Sequence, residues 1–400
     1  MITHDVEVLL VGLGPVGSTT ALYLARHGIS VAAIECAALG ATDLRASTFH
    51  PPTIEMLDDL GVATKLKTEG LIAPRYQHRD RKTNEVFNFD MGELADITRF
   101  PYRIQCEQHR VAHEVAETLA LEGTAQVAYH QRLVFMEQDE DGVTAWVETP
   151  LAVEKYRAKY VIGADGASSI VRKLLDLDFP GFTYNDKFLC YSTEYPIENA
   201  FEGLSHVNYI SDPEEWMVLL RVPGLWRVLV PAANDVSDAT LLSDATKNEL
   251  FRRMLKSDDE VVTRHRTIYR VHQRVVSQFA VGRVCLIGDA AHLNSPMGGF
   301  GMNSGIHDGI NLGEKLVRIL RQGGDHALVQ QFHRQRHQVT TDFVQTQTID
   351  NTKMMREGPG AARELRRERM AKLNADATLR RAFLKRQAMF TSLEDAAAIV

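Results

Sequence analysis

Val6 to Val11 is a valine-rich run, apolar except at Glu7, and Gly12, Gly14 and Gly17 follow it in G-x-G-x-x-G spacing. The run reads as a parallel strand covered on both faces. Gly12 then permits a tight turn, Gly14 lets a pyrophosphate approach the backbone, and Gly17 lets a helix pack close to the strand. The helix from about Pro15 to His27 aims unpaired N–H groups and its positive end at the phosphates. Pro15 suits a first helical turn, where an N–H has no partner to lose. Ile29 to Ile34 reads as a second strand ending at Glu35, whose carboxylate can accept the ribose hydroxyls of an adenosine. A strand–turn–helix with this acidic residue predicts a dinucleotide site, with NAD and FAD both open at this point.

A second glycine-rich segment begins at Val281, as VGRVCLIGDAAHLNSPMGGFGMNSGIHDGINL. Val281 to Ile287 is expected to be another buried strand, with Gly288-Asp289 at its carboxyl end, where ligands bind in open α/β sheets. Pro296 to Gly301 holds three glycines in six residues, which suits close approach of the backbone to something flat or charged. Ile306, Ile310, Leu312, Leu316 and Ile319 recur at helical spacing, so a helix is expected from about Met302. Its N-terminus would favour negative charge in the loop before it. Between the two segments lies GADGASSIVR, Gly163 to Arg172.

Composition excludes several other classes. The formal net charge of -7 argues against a nucleic-acid surface. The run Arg363 to Lys372 mixes bases with acids and reads as a solvated helix face. Cys36, Cys106, Cys190 and Cys285 are scattered without a CxxC, so neither a disulfide framework nor a zinc site is expected, and no metal cluster is predicted. No apolar run reaches the roughly 18 residues of a membrane span. A first strand starting by about Asp5 leaves no room for a signal peptide, and a cytoplasmic location is expected. No G-x-S-x-G points to a hydrolase.

Taken in order, GLGPVG (Gly12–Gly17), GADGASSIVR and GDAAHLNSPMGGFGMN (Gly288–Asn303), with YRVHQR (Tyr269–Arg274), closely resemble the class A flavoprotein monooxygenases. This is the para-hydroxybenzoate hydroxylase and phenol hydroxylase-like group. The resemblance implies bound FAD, NADH or NADPH as a transient co-substrate, and O2. Glu35 would bind the adenosine ribose. Arg45 would contact the flavin diphosphate region, and Gln105 the ribityl chain. Asp165 would support FAD binding and nicotinamide docking, and Asp289 would bind the ribityl chain. Pro296 would sit near the reacting flavin carbon, with Gly301, Met302 and Asn303 at the pyrimidine edge. The implied reaction is hydroxylation of a phenolic or hydroxylated heteroaromatic small molecule through a C4a-hydroperoxyflavin. Epoxidation, oxidative decarboxylation and ring opening on the same fold are the alternatives, as is a flavin reductase or dehydrogenase that uses no oxygen.

The motifs must converge, so the predicted fold is α/β. A Rossmann-like FAD-binding domain of the GR2 type would be discontinuous, from 1–75, 102–182 and 270–320. An interleaved mixed β-sheet substrate domain would come from 76–101 and 183–269. MVLLRVPG and LWRVLVPA, broken at Pro223-Gly224, form its hairpin signature. C-terminal helices would fill 321–400, on the outside or at a dimer interface, in a monomer or homodimer. Arg221, on a predicted strand of the covering sheet, is the expected contact for an anionic substrate group, with a surface arginine as the competing reading. His50 is equally a catalytic or a structural histidine. Tyr209 and Trp216 are ring-pocket candidates for which core packing is favoured. His292 is expected to bond backbone or phosphate.

Overall fold

The computed structural model describes residues 2–38, 46–123, 125–212, 215–356 and 360–400. The expected α/β architecture is present. Five parallel strands lie in the order Val284–Leu286, Val153–Gly163, Thr3–Val11, Val31–Ile34 and Ala125–Ala128. Val8, Leu9 and Leu10 on the central strand are all fully buried, as a strand covered on both faces requires. Two antiparallel strands, Arg132–Gln138 and Val143–Glu148, extend this sheet from Val153–Gly163. The expected single strand from Val281 to Ile287 is instead a hairpin. Ala280–Val281 turns at Gly282 and pairs antiparallel with Val284–Leu286. Gly282 has a φ of 58°, which glycine reaches without strain.

Helices Pro15–Arg26 and Phe300–Arg321 pack directly on each other. Glycine at every fourth position of the second helix makes this possible. A Cβ on Gly305 would lie 2.6 Å from the Val16 side chain, one on Gly309 2.0 Å from Thr20 Oγ1, and one on Gly313 2.6 Å from the Tyr23 ring. The contacts climb both helices together, so the two N-termini point the same way.

A second, eight-stranded sheet runs in the order His292–Leu293, Thr263–Val275, Gly181–Thr193, Leu225–Ala232, Met217–Val222, Val207–Ser211, Arg75–Asp80 and Val86–Asp90. All its pairings are antiparallel except Val207–Ser211 with Arg75–Asp80. The expected hairpin is there, turning at Pro223-Gly224. Side chains alternate across the sheet. Leu189, Tyr191, Met217, Leu219 and Val228 pack beneath helix Asp244–Leu255. Phe188, Cys190, Tyr209, Val218 and Leu229 face the other way, toward Met297 and the C-terminal helices.

Those helices begin at Ala327 and end at Ala398, with a π-helical turn at Thr340–Gln345. The basic run 363–372 is a docking face rather than a solvated one. Arg363 and the buried Arg366 both bind the Asp80 carboxylate, at 2.7 and 2.9 Å. Arg380 and Arg381 bind Glu93 and Asp96 in the same way. Among the described residues no helix is long and apolar enough to cross a membrane.

Candidate functional site

All three glycine-bearing motifs open onto one cavity of about 520 Å³. Its wall includes Gly14 to Val16, Ala164 to Ser168, Asp289, Pro296, Gly299, Gly301 and Met302. The covering sheet supplies Cys190, Tyr209, Val218, Leu220, Arg227, Leu229 and Tyr269. Both packed helices, Pro15–Arg26 and Phe300–Arg321, bring their N-termini to this wall. Two positive helix ends converging on one cleft suit an anionic ligand.

The glycine turn behaves as its spacing predicts. Gly12 has a φ of 104°, and a Cβ there would sit 2.5 Å from the Ala164 carbonyl oxygen. A Cβ on Gly17 would sit 2.0 Å from the Gly12 carbonyl oxygen. At Gly14 a Cβ would enter open space, the room that a pyrophosphate needs. Glu35 ends the second strand, where Oε2 accepts the Leu13 N–H and Oε1 the Ala37 N–H, both at 2.9 Å. This fixes the carboxylate beside the turn with further lone pairs to offer. Arg45 lies outside the described residues.

Asp165 lines the cavity and fastens the motif that carries it. It accepts from Ser169 Oγ at 2.5 Å and from the N–H groups of Ile170 and Val171 at 2.7 and 3.1 Å. Burial pushes its carboxyl up, against the pull of these bonds. Arg172, the last residue of the motif, is a positioning group that the sequence reading left without a role. It donates to Ala290 O at 2.8 Å and Ala167 O at 2.7 Å, and lies over Phe179. The middle motif is thereby tied to the one that carries Asp289, which lines the cavity with an exposed side chain.

A buried network holds the same segment from behind. Asp308 Oδ2 accepts from the Gly288 N–H at 3.1 Å and His292 Nε2 at 2.8 Å, while Oδ1 accepts from Arg336 Nε at 2.6 Å. None of the three side chains is more than 1% exposed. Burial alone pushes the Asp308 carboxyl up, but Arg336 and His292 more than offset this and hold it below its ordinary value. His292 therefore bonds a carboxylate, not the expected backbone or phosphate.

The helix after the Pro296–Gly301 loop starts at Phe300, two residues before the expected position, with Gly299 as its N-cap at a φ of 73°. The N–H groups without intrahelical acceptors are then those of Phe300, Gly301 and Met302. Gly301 and Met302 line the cavity, as does Pro296. Asn303 stands behind the wall. Its Oδ1 accepts the His50 N–H at 2.9 Å, and its Nδ2 donates to Thr48 O and Gly299 O at 2.8 and 2.7 Å. His50 is also behind the wall. Nε2 bonds the Gly298 carbonyl at 2.9 Å, the ring stacks on Phe300, and no part of it is exposed. Burial, then Arg103, holds its pKa well below the ordinary histidine value. A neutral His50 thus braces the loop, which is the structural of its two readings. Gln105, fully buried, accepts from Thr48 Oγ1 at 3.0 Å and has no partner for Nε2 among the described residues. Ser47 Oγ, on the cavity wall, is orphaned likewise. The orphaned Ser47 hydroxyl and the open space over Gly14 fit a long polar cofactor, whereas Gln105 stands behind the wall and Gln108, three residues on, lines the cavity.

Arg221 requires a correction. It shares strand Met217–Val222 with Val218 and Leu220, which face the cavity, but has the opposite parity. Its guanidinium lies 5.3 Å from the Trp226 ring, on the far face of the sheet. Among the described residues the arginine that lines the cavity is Arg227, across the hairpin from Leu220. It is 3% exposed and its Nη2 donates to Glu107 Oε2 in a buried ion pair. Tyr209 lines the cavity and stacks on His78, whereas Trp216 packs against Phe188 in the core.

Residues 5–347 match the sequence family described as FAD binding domain. The chain is 30% identical to para-nitrophenol 4-monooxygenase of Pseudomonas sp. (strain WBC-3), over 89% of each chain. It is 27% identical to 6-hydroxy-3-succinoylpyridine 3-monooxygenase HspB of Pseudomonas putida (strain DSM 28022 / S16), over 86% of this chain and 88% of that one. The crystal structure of p-nitrophenol 4-monooxygenase PnpA from Pseudomonas putida DLL-E4 superposes with a TM-score of 0.91 at 29% identity, covering 99% of both chains.

Proposed function

The chain belongs to the FAD-binding family of flavin-dependent aromatic monooxygenases, and on that premise we propose that it uses NADH or NADPH and O2 to hydroxylate a phenol or hydroxylated N-heterocycle. The observation that carries this reading is that the three motifs and the covering sheet share one cavity. A phosphate-binding turn, a helix-tipped glycine loop and an apolar sheet with one buried cation meet there. Relatives that act on para-nitrophenol and on a hydroxypyridine support the substrate class.

FAD, when bound, supplies the electron transfer from the nicotinamide and the activation of O2. The protein's part is holding, orienting and drying. Gly14 leaves room for the pyrophosphate, Glu35 would accept the ribose hydroxyls, and Asp289 would hold the ribityl chain. Asp165 keeps its turn in shape and receives the transient nicotinamide. The N–H groups of Gly301 and Met302 favour negative charge at the pyrimidine edge, and Asn303 and His50 brace that loop. Pro296, on the cavity wall, would sit near the reacting edge of the ring. Val218, Leu220 and Leu229 exclude water from the oxygen-transfer region, where water would divert reducing power to peroxide.

The test is direct. The purified protein should be yellow. 4-Nitrophenol or a hydroxypyridine should stimulate NAD(P)H oxidation with equal O2 uptake, and 18O from labelled O2 should appear in a product that keeps its ring. Complete anaerobic turnover, or a ring-opened product, would overturn the proposal.

A further inference from the structure

The ion pair at the substrate end of the cavity joins two residues 120 positions apart, and neither belongs to a glycine motif. Arg227 lies on strand Leu225–Ala232 of the covering sheet, with Cys190, Leu220, Leu229 and Tyr269 around it on the wall. Glu107 is the residue before helix Gln108–Glu122, and its neighbour Gln108 also reaches the wall. The cavity's own carboxylates, among the described residues, are Asp165 and Asp289. Both sit with the phosphate cradle, Asp165 against Gly12 and Asp289 next to Gly288, which adjoins Val16. At the apolar end, the acid within reach is Glu107, one guanidinium away.

We propose that Glu107 accepts the hydroxyl proton of a phenolic substrate while Arg227 receives the phenolate. This deepens the hydroxylase reading and rests on it. A guanidinium is a planar fork of five N–H donors. Two oxygens bonded to neighbouring N–H groups of one fork are brought to hydrogen-bonding distance of each other. A phenol docked on Arg227 is thus set beside the Glu107 carboxylate. The phenol O–H bond breaks, a carboxyl O–H bond forms, and the electron pair stays on the phenolate oxygen. No oxidant enters the step.

The charge balance favours this route over release of the proton to water. Before transfer the pocket holds carboxylate and guanidinium; afterwards it holds phenolate, guanidinium and a neutral acid. Its net charge is zero throughout, so no uncompensated ion arises in an apolar site. Burial raises the proton affinity of Glu107, opposed by Arg227 and Arg110. Cys190 and Cys106 also feel the Glu107 charge, and His109 that of Arg227 and Arg110. A phenolate is the more electron-rich ring for oxygen transfer, which gives the pair a catalytic purpose.

The probe is 4-nitrophenol, bound to the oxidised FAD holoenzyme at a pH below its own pKa. Its visible phenolate band and a pH indicator are followed together. Wild type should bind the phenolate form without releasing a proton to the medium. Glu107→Gln should release about one proton per phenolate bound, or bind neutral phenol. In turnover, Glu107→Gln should lose about 10²-fold or more in kcat/KM on a weakly acidic phenol. It should lose less than about 5-fold on 4-nitrophenol that is already ionised, and Glu107→Asp should recover part of the loss. The wild-type proton count needs no folded variant. Release of a full proton by wild type, or equal losses on both phenols, overturns the inference. If 18O still enters the product, only this inference falls; if neither phenols nor hydroxypyridines stimulate NAD(P)H oxidation, the hydroxylase reading falls with it.

Discussion

Asp308→Asn tests whether the buried network behind the cavity does what its geometry requires. The substitution keeps shape and removes charge, so Arg336, 1% exposed, loses the carboxylate 2.6 Å from its Nε. Breaking a buried ion pair from one side costs about 3–5 kcal/mol, because the remaining charge is stranded. The remaining amide oxygen is drawn to the charged Arg336, so Nδ2 faces the Gly288 N–H that Oδ2 accepted, and an unmatched buried donor costs about 1–3 kcal/mol. The first loss should appear in the stability of the apoprotein, read from its denaturant midpoint. The second should appear in FAD affinity, since Gly288 precedes the cavity-lining Asp289; a flavin-fluorescence titration should show a Kd weaker by about 5- to 150-fold. A control separates them. Asp308→Leu with Arg336→Met removes both charges and should recover most of the stability but little of the FAD affinity. Asp308→Asn within about 1 kcal/mol of wild type would refute the reasoning, as would a double variant that binds FAD like wild type.

Other expectations rest on single features. Gly17→Ala puts a Cβ 2.0 Å from the Gly12 carbonyl oxygen and should yield little soluble flavoprotein; Gly14→Ala meets open space, and should fold but bind FAD at least about 10-fold more weakly because the methyl group enters the pyrophosphate's room. Absorbance of purified protein and apoprotein titration check the pair. Glu7, bonded to Arg321, is lowered from 4.5 to about 2. A depressed carboxyl contributes stability that is full above pH 4.5 and is lost as pH falls toward 2. Glu7→Gln should therefore flatten that acid limb in urea midpoints measured from pH 6 to 2.5, and leave activity unchanged. Arg221→Met should change KM for phenols by less than about 3-fold, since its guanidinium lies against Trp226 on the far face; a loss of about 100-fold in kcat/KM would return Arg221 to the site.

What was legible in the sequence was local or repeated. The roles of Gly12, Gly14 and Gly17 depend on neighbours a few residues away, so spacing alone predicts them. The convergence of three motifs could be read because each carries its own backbone geometry. Arg221 was misassigned because LLRVPGLWRV holds two arginines on either side of a turn, and a single step in strand parity decides which faces in. Residue 221 stands opposite 226, and 220 opposite 227, so Arg227 shares the inward face. Nothing local marks Glu107, because its partner is 120 positions away. The 363–372 run looked solvated because its acid, Asp80, lies 283 positions before Arg363. Gly305, Gly309 and Gly313 were in plain view; their four-residue spacing was a helix-packing signal that the flavin motif overshadowed.

The order of strands in the parallel sheet has a consequence for synthesis on the ribosome. The strand Thr3–Val11 finds one neighbour early, in Val31–Ile34, but waits for Val153–Gly163 on its other side. That strand in turn waits for Val284–Leu286. A nascent chain stopped anywhere before residue 284 carries an unfinished sheet and half a nucleotide cleft, with nothing to close it. Long-range pairings of this kind are made late and leave sticky edges in the meantime. Yield of active enzyme should therefore respond to chaperone supply and growth temperature, and cofactor added during translation should be captured only once residues 284–302 have emerged.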